Sequence, residues 1–404
     1  MVSNQSKNLP AIKKIPASIW VLGFVSMLTD ISTEMIHSLL PMFLVSTMGA
    51  SVLIVGLIEG VAESTALMMK VFSGSLSDFL GRHKTLVVAG YGLSALTKLI
   101  FPVALSIQVI LGARFLDRIG KGIRDAPRDA LIADITPLDV RGAAFGLRQS
   151  LDSVGAFLGP CIAVILMLVW ANEFRWVFWV AIIPVTIAVI LLILFVDEMK
   201  VDRPSNPQNP LSFRSLKKLD FNYWSVVLIG SMLGFARYSD AFLVLRAYDS
   251  GIPMYLVPLV LVVMNIVYAL VAYPFGKLSD RVGYANLLKC GVITLLFSNL
   301  ILAYGHHFGY VLMGVSLWGL HMGLTQGLMA TMIADVAPED LRGTAYGVFN
   351  LFLGVSMLVS NAISGLIWDH YGAEFTFYFS ALICSLCFIF LLSNVMKFRY
   401  TPAS

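Results

Sequence analysis

The sequence predicts an all-α membrane protein with twelve transmembrane helices in two pseudo-symmetric six-helix halves. Three observations support this fold: an apolar composition, an internal repeat, and basic residues that alternate between successive connections. Of the 404 residues, 58% are hydrophobic and 13% are charged, whereas soluble domains carry about 25% charged residues. The mean hydropathy is +0.83. Apolar stretches long enough to cross a hydrocarbon core of about 30 Å recur from Trp20 to Val395.

The apolar stretches define twelve predicted spans and one boundary between them. Their expected bounds are 17–45, 52–75, 84–104, 107–135, 142–170, 174–196, 223–247, 254–276, 286–305, 308–335, 343–367 and 374–396. The stretch 197–222 is polar and rich in Pro and Asn, which is typical of a linker. We therefore predict a first half over 1–196, a cytoplasmic linker over 197–222 and a second half over 223–404.

The basic residues predict the orientation of the chain. Lys and Arg gather before the first span, after the second, in the linker and after the last, while the opposite connections offer little beyond Arg175. Because cytoplasmic loops carry an excess of Lys and Arg, both termini are expected in the cytoplasm, as an even number of spans requires. No short apolar segment with a cleavage site precedes the first span, so no cleaved signal peptide is expected. We predict a multi-pass protein of the inner membrane.

An internal repeat relates the two halves. Asp134 and Arg141 recur as Asp335 and Arg342, each 201 positions later. A second pair of segments, 74–82 and 276–283, repeats glycine and acidic positions at an offset of 202. Because the repeated positions are charged residues and glycines, chance similarity of apolar helices does not explain them. Repeats in spans of the same orientation predict parallel halves related by an axis along the membrane normal.

The glycine-rich segment after the second span carries a family resemblance. Gly74-x-x-x-Asp78-x-x-Gly81-Arg82 resembles the most characteristic motif of the major facilitator superfamily of transporters. The second copy contains Asp280 but has Tyr284 where the Arg is expected. The resemblance implies transport by alternating access, with a conformational latch that holds the halves together in one state. Its expected residues are Gly74, Asp78, Gly81, Arg82 and Asp280.

Further motifs are similar to those of the same superfamily. Arg118-x-x-x-Gly122 resembles its fourth-span motif, and Gly155-x-x-x-Gly159-Pro160 resembles a motif of proton antiporters, although Ala163 replaces the final glycine. The run 117–130 resembles a bacterial subgroup that includes nickel-resistance exporters and candidate siderophore transporters. Direction of transport stays open.

Span four carries an unusual number of charges for a membrane helix. They are Arg114, Asp117, Arg118, Lys121, Arg124, Asp125, Arg128 and Asp129. At about 100° per residue these side chains share one face of the helix. A charged face cannot contact lipid, so it is expected to line a cavity or to pair with neighbouring helices.

Acidic residues on the neighbouring spans provide candidate partners and proton carriers. Asp30, Glu34 and His37 share a face of span one, and Glu59 and Glu63 share a face of span two. A carboxylate whose surroundings change during transport changes its proton affinity. We predict that proton coupling involves Asp30, Glu34, Glu59 and Arg118. A static network of salt bridges is the alternative, above all for Arg124, Asp125, Arg128, Asp129 and Asp134.

The charge inventory favours a small polar or charged solute. The expected substrate-binding residues are Arg114, Lys121, Arg148, Gln149, Arg237 and Asn350, whose cations suit a carboxylate-bearing ligand. An organic anion or a metal chelate such as a siderophore is the first choice. A divalent metal cation is the second, with Asp30, Glu34, His37 and Glu63 as weak candidate ligands. The lone His321 is interpreted as a satisfied core residue.

Other classes of function find less support in the sequence. An enzyme is not expected, because neither HExxH nor GxSxG occurs. A receptor or scaffold on a transporter fold would usually carry a soluble domain, and the longest connection here is the linker. We expect no cofactor and no dedicated metal site. The expected partners are a small-molecule or ion substrate, protons and membrane lipid, without nucleic acid, and the protein is expected to be a monomer.

Overall fold

The computed structural model describes residues 15–80, 83–196, 219–325, 327–338 and 341–393. Throughout these ranges the regular structure is helical, with twelve successive membrane-length segments and no strand. Ten are dominated by one long helix, and two are broken into halves labelled a and b. The helices are α1 (Ala17–His37), α2 (Val52–Leu80), α3 (His83–Lys98), α4 (Ile107–Ile135), α5 (Arg141–Val169), α6 (Phe174–Phe195), α7a (Phe221–Ala236), α7b (Ala241–Asp249), α8 (Leu259–Val282), α9 (Tyr284–Tyr304), α10a (Phe308–Thr325), α10b (Leu328–Val336), α11 (Arg342–Tyr371) and α12 (Ala373–Leu392).

The predicted helical architecture is confirmed, and α4 stands apart from the other spans. Among the described residues, eleven segments are long and apolar enough to cross a membrane. The twelfth segment, α4, is 29 residues long but carries too many charges to qualify by composition. It is nonetheless among the longest described helices, and most of its charged face is buried against neighbouring helices.

The two halves, α1–α6 and α7–α12, meet along α2 and α11. We call the end of the bundle where α1 begins the near end, and the opposite end, where α2 begins and α11 finishes, the far end. A side chain at Gly56 of α2 would overlap the backbone of Asn361. At Gly365 of α11 a Cβ would lie 2.6 Å from the Cα of Leu53. Glycine is therefore needed at both positions for the helices to approach this closely.

Hydrogen bonds between the halves join them at the far end and at mid-height. The carboxylate of Asp369, near the end of α11, accepts hydrogen bonds of 2.9 Å from the backbone N–H groups of both Val52 and Leu53. These donors lie in the first turn of α2, where no helical acceptor is available. At mid-height, the side-chain amide of Asn265 donates to the carbonyl of Ala156 over 3.2 Å. The described part of the far end is thus held closed.

Two helices of the second half are broken at membrane depth. The helix α7a ends before Arg237, and α7b resumes at Ala241. Side chains of α11 satisfy the freed backbone groups: Asn361 accepts from the N–H of Ser239 over 2.8 Å, and Ser360 donates to the carbonyl of Phe235. The break in α10 is at Gly327, whose φ of +97° disfavours other residues. Unsatisfied backbone groups are costly at membrane depth, so a break there persists only where other contacts satisfy them.

Parts of two predicted features fall outside the described residues. These are most of the linker, 197–218, and the latch residues Gly81 and Arg82. The surroundings of Gly74 and the side chains of Asp78 and Asp280 are likewise outside the described set, so the latch stays a prediction. The last linker residues are described, and Asp220 there caps α7a by accepting the N–H of Tyr223 over 3.0 Å.

A buried ion pair ties α2 to α4. The guanidinium of Arg114 donates to both carboxylate oxygens of Glu59, over 3.1 Å and 2.8 Å. The two side chains are 2% and 1% exposed. A bidentate pair of this kind fixes both position and orientation. Breaking it by removing one partner would leave an uncompensated buried charge.

We expect Glu59→Gln to destabilise the fold by about 3–5 kcal/mol, because the charge of Arg114 would lose its carboxylate. Equilibrium unfolding of the purified protein in detergent measures this change. The same substitution at Glu374, which lies 3.4 Å from His306 in an exposed pair, is the matched control. It should change stability by less than about 1 kcal/mol. Similar losses for both variants would contradict the structural role of the buried pair.

Candidate functional site

A polar cavity lies between the two halves near mid-height. Its volume is about 210 Å³. The first half contributes Asp30, Gln149, Asp152, Ser153 and Ala156, and the second half contributes Asn265, Tyr268 and Met322. We call this space the central cavity. Two predicted residues, Asp30 and Gln149, therefore meet there, one from the coupling set and one from the substrate set.

Two glycines of α5 position the acidic residues of α1. A Cβ at Gly155 would lie 2.9 Å from the Cβ of Asp30, and one at Gly159 would lie 2.6 Å from the Cβ of Glu34. Both contacts are tighter than side chains normally allow, so α1 and α5 approach closely only because glycine occupies both places. The two glycines of the motif that resembles the antiporter sequence thus pack directly against Asp30 and Glu34.

An ion pair on α5 borders the central cavity. The guanidinium of Arg148 donates to Asp152 over 2.8 Å and to the side-chain oxygen of Gln149 over 3.1 Å. The i, i+4 spacing of Arg148 and Asp152 explains the first contact. The second carboxylate oxygen of Asp152 is buried without a partner among the described residues. Arg148 is consequently engaged in this conformation, and Asp152 retains one free acceptor.

The charged face of α4 meets partners on three neighbouring helices. Arg118 lies 3.4 Å from Glu63 of α2, and Arg124 donates to Ser94 of α3 over 2.9 Å. Arg128 donates to Ser26 of α1 over 3.1 Å and lies within 4 Å of both Asp125 and Asp129. The sequence prediction that this face pairs with neighbours agrees with these contacts.

Lys121 differs from the other cations of α4. Its side chain is half-buried, and it makes no hydrogen bond or ion pair within the described part of the chain. It is close enough to Asp30 and Glu34 to interact with both electrostatically. Lys121 is thus a cation near the central cavity that is available to a ligand.

A chain of ionisable side chains runs from α1 to α4. His37 lies 3.6 Å from Glu34 and 3.5 Å from Glu59, which in turn binds Arg114. Four predicted residues are therefore brought together, although Glu59 and Arg114 are nearly inaccessible. The described residues contain no group of three His, Cys, Asp or Glu side chains arranged to hold a metal ion.

The remaining predicted substrate residues lie in the second half. Arg237 follows the end of α7a and lines a separate cavity together with His321. Asn350 is half-buried on α11. The structure therefore does not gather all six predicted substrate residues into a single pocket.

Sequence reasoning missed Lys98 and Tyr268, and it identified Asn265 only as a polar residue of span eight without assigning it to a site. Lys98 is 1% exposed, donates to the hydroxyl of Thr33 over 2.7 Å, and interacts electrostatically with Asp117. A lone lysine within an apolar span was the available signal. For Asn265 and Tyr268, only the pairing of α8 with α5 brings the side chains to the central cavity, and the sequence of α8 alone does not contain that information.

Comparisons with known proteins agree with this architecture. The sequence model of the Major Facilitator Superfamily matches residues 22–261 and 241–402. An uncharacterised MFS-type transporter of Methanocaldococcus jannaschii, MJ1317, is 30% identical over 396 residues, which is 96% of this chain and 98% of the relative. An uncharacterised protein of Mycobacterium tuberculosis, Rv2265, is 27% identical over 362 residues, covering 87% of this chain and 86% of the relative.

Solved structures show the same fold at low sequence identity. The nucleoside transporter NupG superposes with a TM-score of 0.80 at 12% identity, covering 94% of this chain and 100% of that one. A POT family transporter in complex with 5-aminolevulinic acid gives 0.78 at 13%, covering 95% and 99%. Together with the family match, these findings confirm the predicted fold. The chain belongs to the Major Facilitator Superfamily, and it is a multi-pass membrane transporter.

Proposed function

We propose that this transporter is a proton-coupled carrier that moves a small organic anion, free or as a metal chelate, across the inner membrane. Asp30 is the principal proton-carrying group in this proposal, with Glu34 beside it. The single observation that supports it most is the position of Asp30, which lines the cavity between the halves. A carboxylate there is exposed to a different environment each time the halves rearrange.

The surroundings of Asp30 support its role in coupling. Asp152, Lys121 and Glu34 all act on it electrostatically. A cation that binds an arriving substrate anion acts less strongly on Asp30 afterwards, so substrate and proton binding become linked. Lys121 forms no hydrogen bond or ion pair in the described structure and is the cation we assign to this exchange. Arg118, which lies 3.4 Å from Glu63, contributes a further positive charge to the same region.

In this proposal Glu59 and Arg114 contribute to proton coupling through the residues that they contact. Their bidentate pair is buried, and His37 links it to Glu34. We propose that this chain transmits a change of charge at Glu34 to the contact between α2 and α4. Arg148 and Gln149 contact the substrate once the pair with Asp152 opens.

An organic anion fits these groups better than a bare metal ion. Lys121, Arg148 and Arg237 are cations at or near the cavities, and they repel a divalent metal. The carboxylates that remain are largely engaged with arginine or histidine, as in the pair of Glu59 with Arg114. The central cavity of about 210 Å³ also suits a small solute or one arm of a larger chelate.

The closed far end supports transport by alternating access, with the far side facing away from the cytoplasm. The contacts of Asp369 hold that side shut, and the contact of Asn265 joins the halves at mid-height. The predicted latch at Gly74, Asp78, Gly81, Arg82 and Asp280 would hold the near side in the opposite state. A monomer surrounded by lipid is sufficient for this cycle.

Asp30→Asn is expected to abolish gradient-driven accumulation in proteoliposomes and to leave solute exchange partly intact, because exchange needs no net proton movement. Citrate, mandelate, a ferric hydroxamate and Ni²⁺ serve as probes under an imposed pH gradient, and the flux of each is measured. Asp220→Asn is the matched control, since Asn caps a helix about as well as Asp. Equal loss of gradient-driven accumulation and of solute exchange in Asp30→Asn would contradict a coupling role. If none of the organic probes moves with the gradient, or if only Ni²⁺ does, the proposed function fails.

Asp369→Ala is expected to open the far end, because two charge-assisted hydrogen bonds between the halves are lost. A change of about 1–2 kcal/mol shifts the equilibrium between closed and open forms by roughly 5–30-fold. Spin labels at Glu173→Cys and His307→Cys, one in each half, report the distance, with the accessible Cys161 and Cys290 replaced by serine. Glu374→Gln is the control, because its partner His306 lies in the same half. An unchanged distance distribution in Asp369→Ala would contradict the assignment.

A further inference from the structure

We infer that the second half contains its own binding pocket for a small organic anion with an apolar body, recognised by Arg237 and His321. The inference rests on the proposed function only where it identifies this ligand with the transported solute. Binding to the pocket is a separate property, and it can be tested without transport.

The pocket is a cavity of about 200 Å³ enclosed by α7a, both parts of α10, and α11. Much of its wall is apolar, including Leu233, Phe349, Leu353 and Met357. Drug-sized ligands occupy about 300–1,000 Å³. The volume therefore suits a smaller molecule whose hydrocarbon part replaces water against these side chains.

Arg237 supplies a positive charge in this apolar setting. Its side chain is half-buried, and within the described ranges it forms no hydrogen bond or ion pair. Asp240 is its nearest charged neighbour in sequence and acts on it electrostatically without forming an ion pair. A guanidinium presents parallel N–H donors that match a carboxylate. A ligand carboxylate would therefore supply the partner that the protein does not.

His321 supplies a second polar group, which accepts a hydrogen bond whereas Arg237 donates. Its Nδ1 lies 2.8 Å from the carbonyl oxygen of Gly291. Because a carbonyl only accepts, Nδ1 carries the proton, and Nε2 of the neutral ring is an acceptor. The residue is 1% exposed and lines the pocket, with no described partner for Nε2. This acceptor is available to a ligand hydroxyl or amine N–H, a role beyond that of a core residue.

Both helix breaks of the second half border the same pocket. Arg237 begins the break in α7, and Gly327 forms the break in α10. Irregular backbone at membrane depth is tolerated where it lines a cavity, and discontinuous helices mark binding sites in several transporter folds. The side chains of Asn361 and Ser360 maintain the break in α7 at the expense of a continuous helix. The fold therefore retains irregular backbone around this cavity.

These features together specify a hydroxy- or amino-carboxylate with an aromatic or branched apolar group. Mandelate has all three parts and is the probe. Phenylacetate lacks the hydroxyl group that would donate to His321, and benzyl alcohol lacks the carboxylate that would bind Arg237. The three compounds have similar apolar bodies, so differences among them report the polar contacts.

The experiment measures the dissociation constants of these probes for the purified full-length protein by calorimetry, with thermal shift as a second readout. We expect mandelate to bind best and phenylacetate more weakly. Arg237→Gln should weaken mandelate binding by roughly ten- to a hundredfold, as expected for a lost hydrogen bond to a charged group. His321→Leu should bind mandelate and phenylacetate equally. Lys289→Gln, which removes a cation of the same half outside the lining of this pocket, should leave binding unchanged.

Clear outcomes would overturn the inference. Unchanged mandelate affinity in Arg237→Gln, equal affinity of all three probes for the wild-type protein, or no binding of any of them would each do so. If His321→Leu does not fold, the preference of the wild-type protein for mandelate over phenylacetate decides the contact. Probe binding without any gradient-driven flux would support the pocket and reject the proposed function. Gradient-driven flux that is indifferent to Arg237→Gln would support the proposed function and reject the identification of the pocket's ligand with the transported solute.

Discussion

The first half of the molecule is organised by the need to keep the charges of α4 away from lipid. The eight charged side chains on this face must pair within the protein or line a cavity, because a charge exposed to the membrane core is costly. Glu59 and Glu63 of α2, Ser94 of α3 and Ser26 of α1 provide contacts to this face. The packing of α1 to α4 therefore follows largely from this one constraint. The close contact of Asp30 with α5 adds the fifth helix to this group.

The two halves use different means to create polarity within the membrane. In the first half, intact helices carry ionisable side chains that pair across helix boundaries, as Arg114 and Glu59 do. In the second half, the helices α7 and α10 are broken, and Arg237 stands at one of the breaks. Ion pairs can change partners when helices move, whereas a break sustained by fixed side chains keeps its shape. The first half is thus suited to coupling and the second to recognition.

Much of the fold followed from the sequence, because the bilayer dictates span length. The observed bounds of α4 are those predicted, and most other spans agree within a few residues. The breaks in α7 and α10 were not predicted, because distant Asn361 and Ser360 sustain the first. The sequence also did not indicate which cation pairs with Glu59, since several cations share the charged face of α4. Lys98 was overlooked because one charge barely changes the hydropathy of a span. Pairing and breaks depend on tertiary contacts.

The contact of Asp369 with the first turn of α2 has a counterpart in the predicted latch. The helices α2 and α11 run antiparallel, so each places an acidic residue near its C-terminal end: Asp78 at the near end and Asp369 at the far end. A carboxylate stabilises the N-terminus of a helix by up to about 2 kcal/mol where the contact is partly buried. If the predicted latch forms a contact of similar strength at the near end, the two states are close in free energy. A carrier needs that balance, because bound substrate and protons can then decide which end opens.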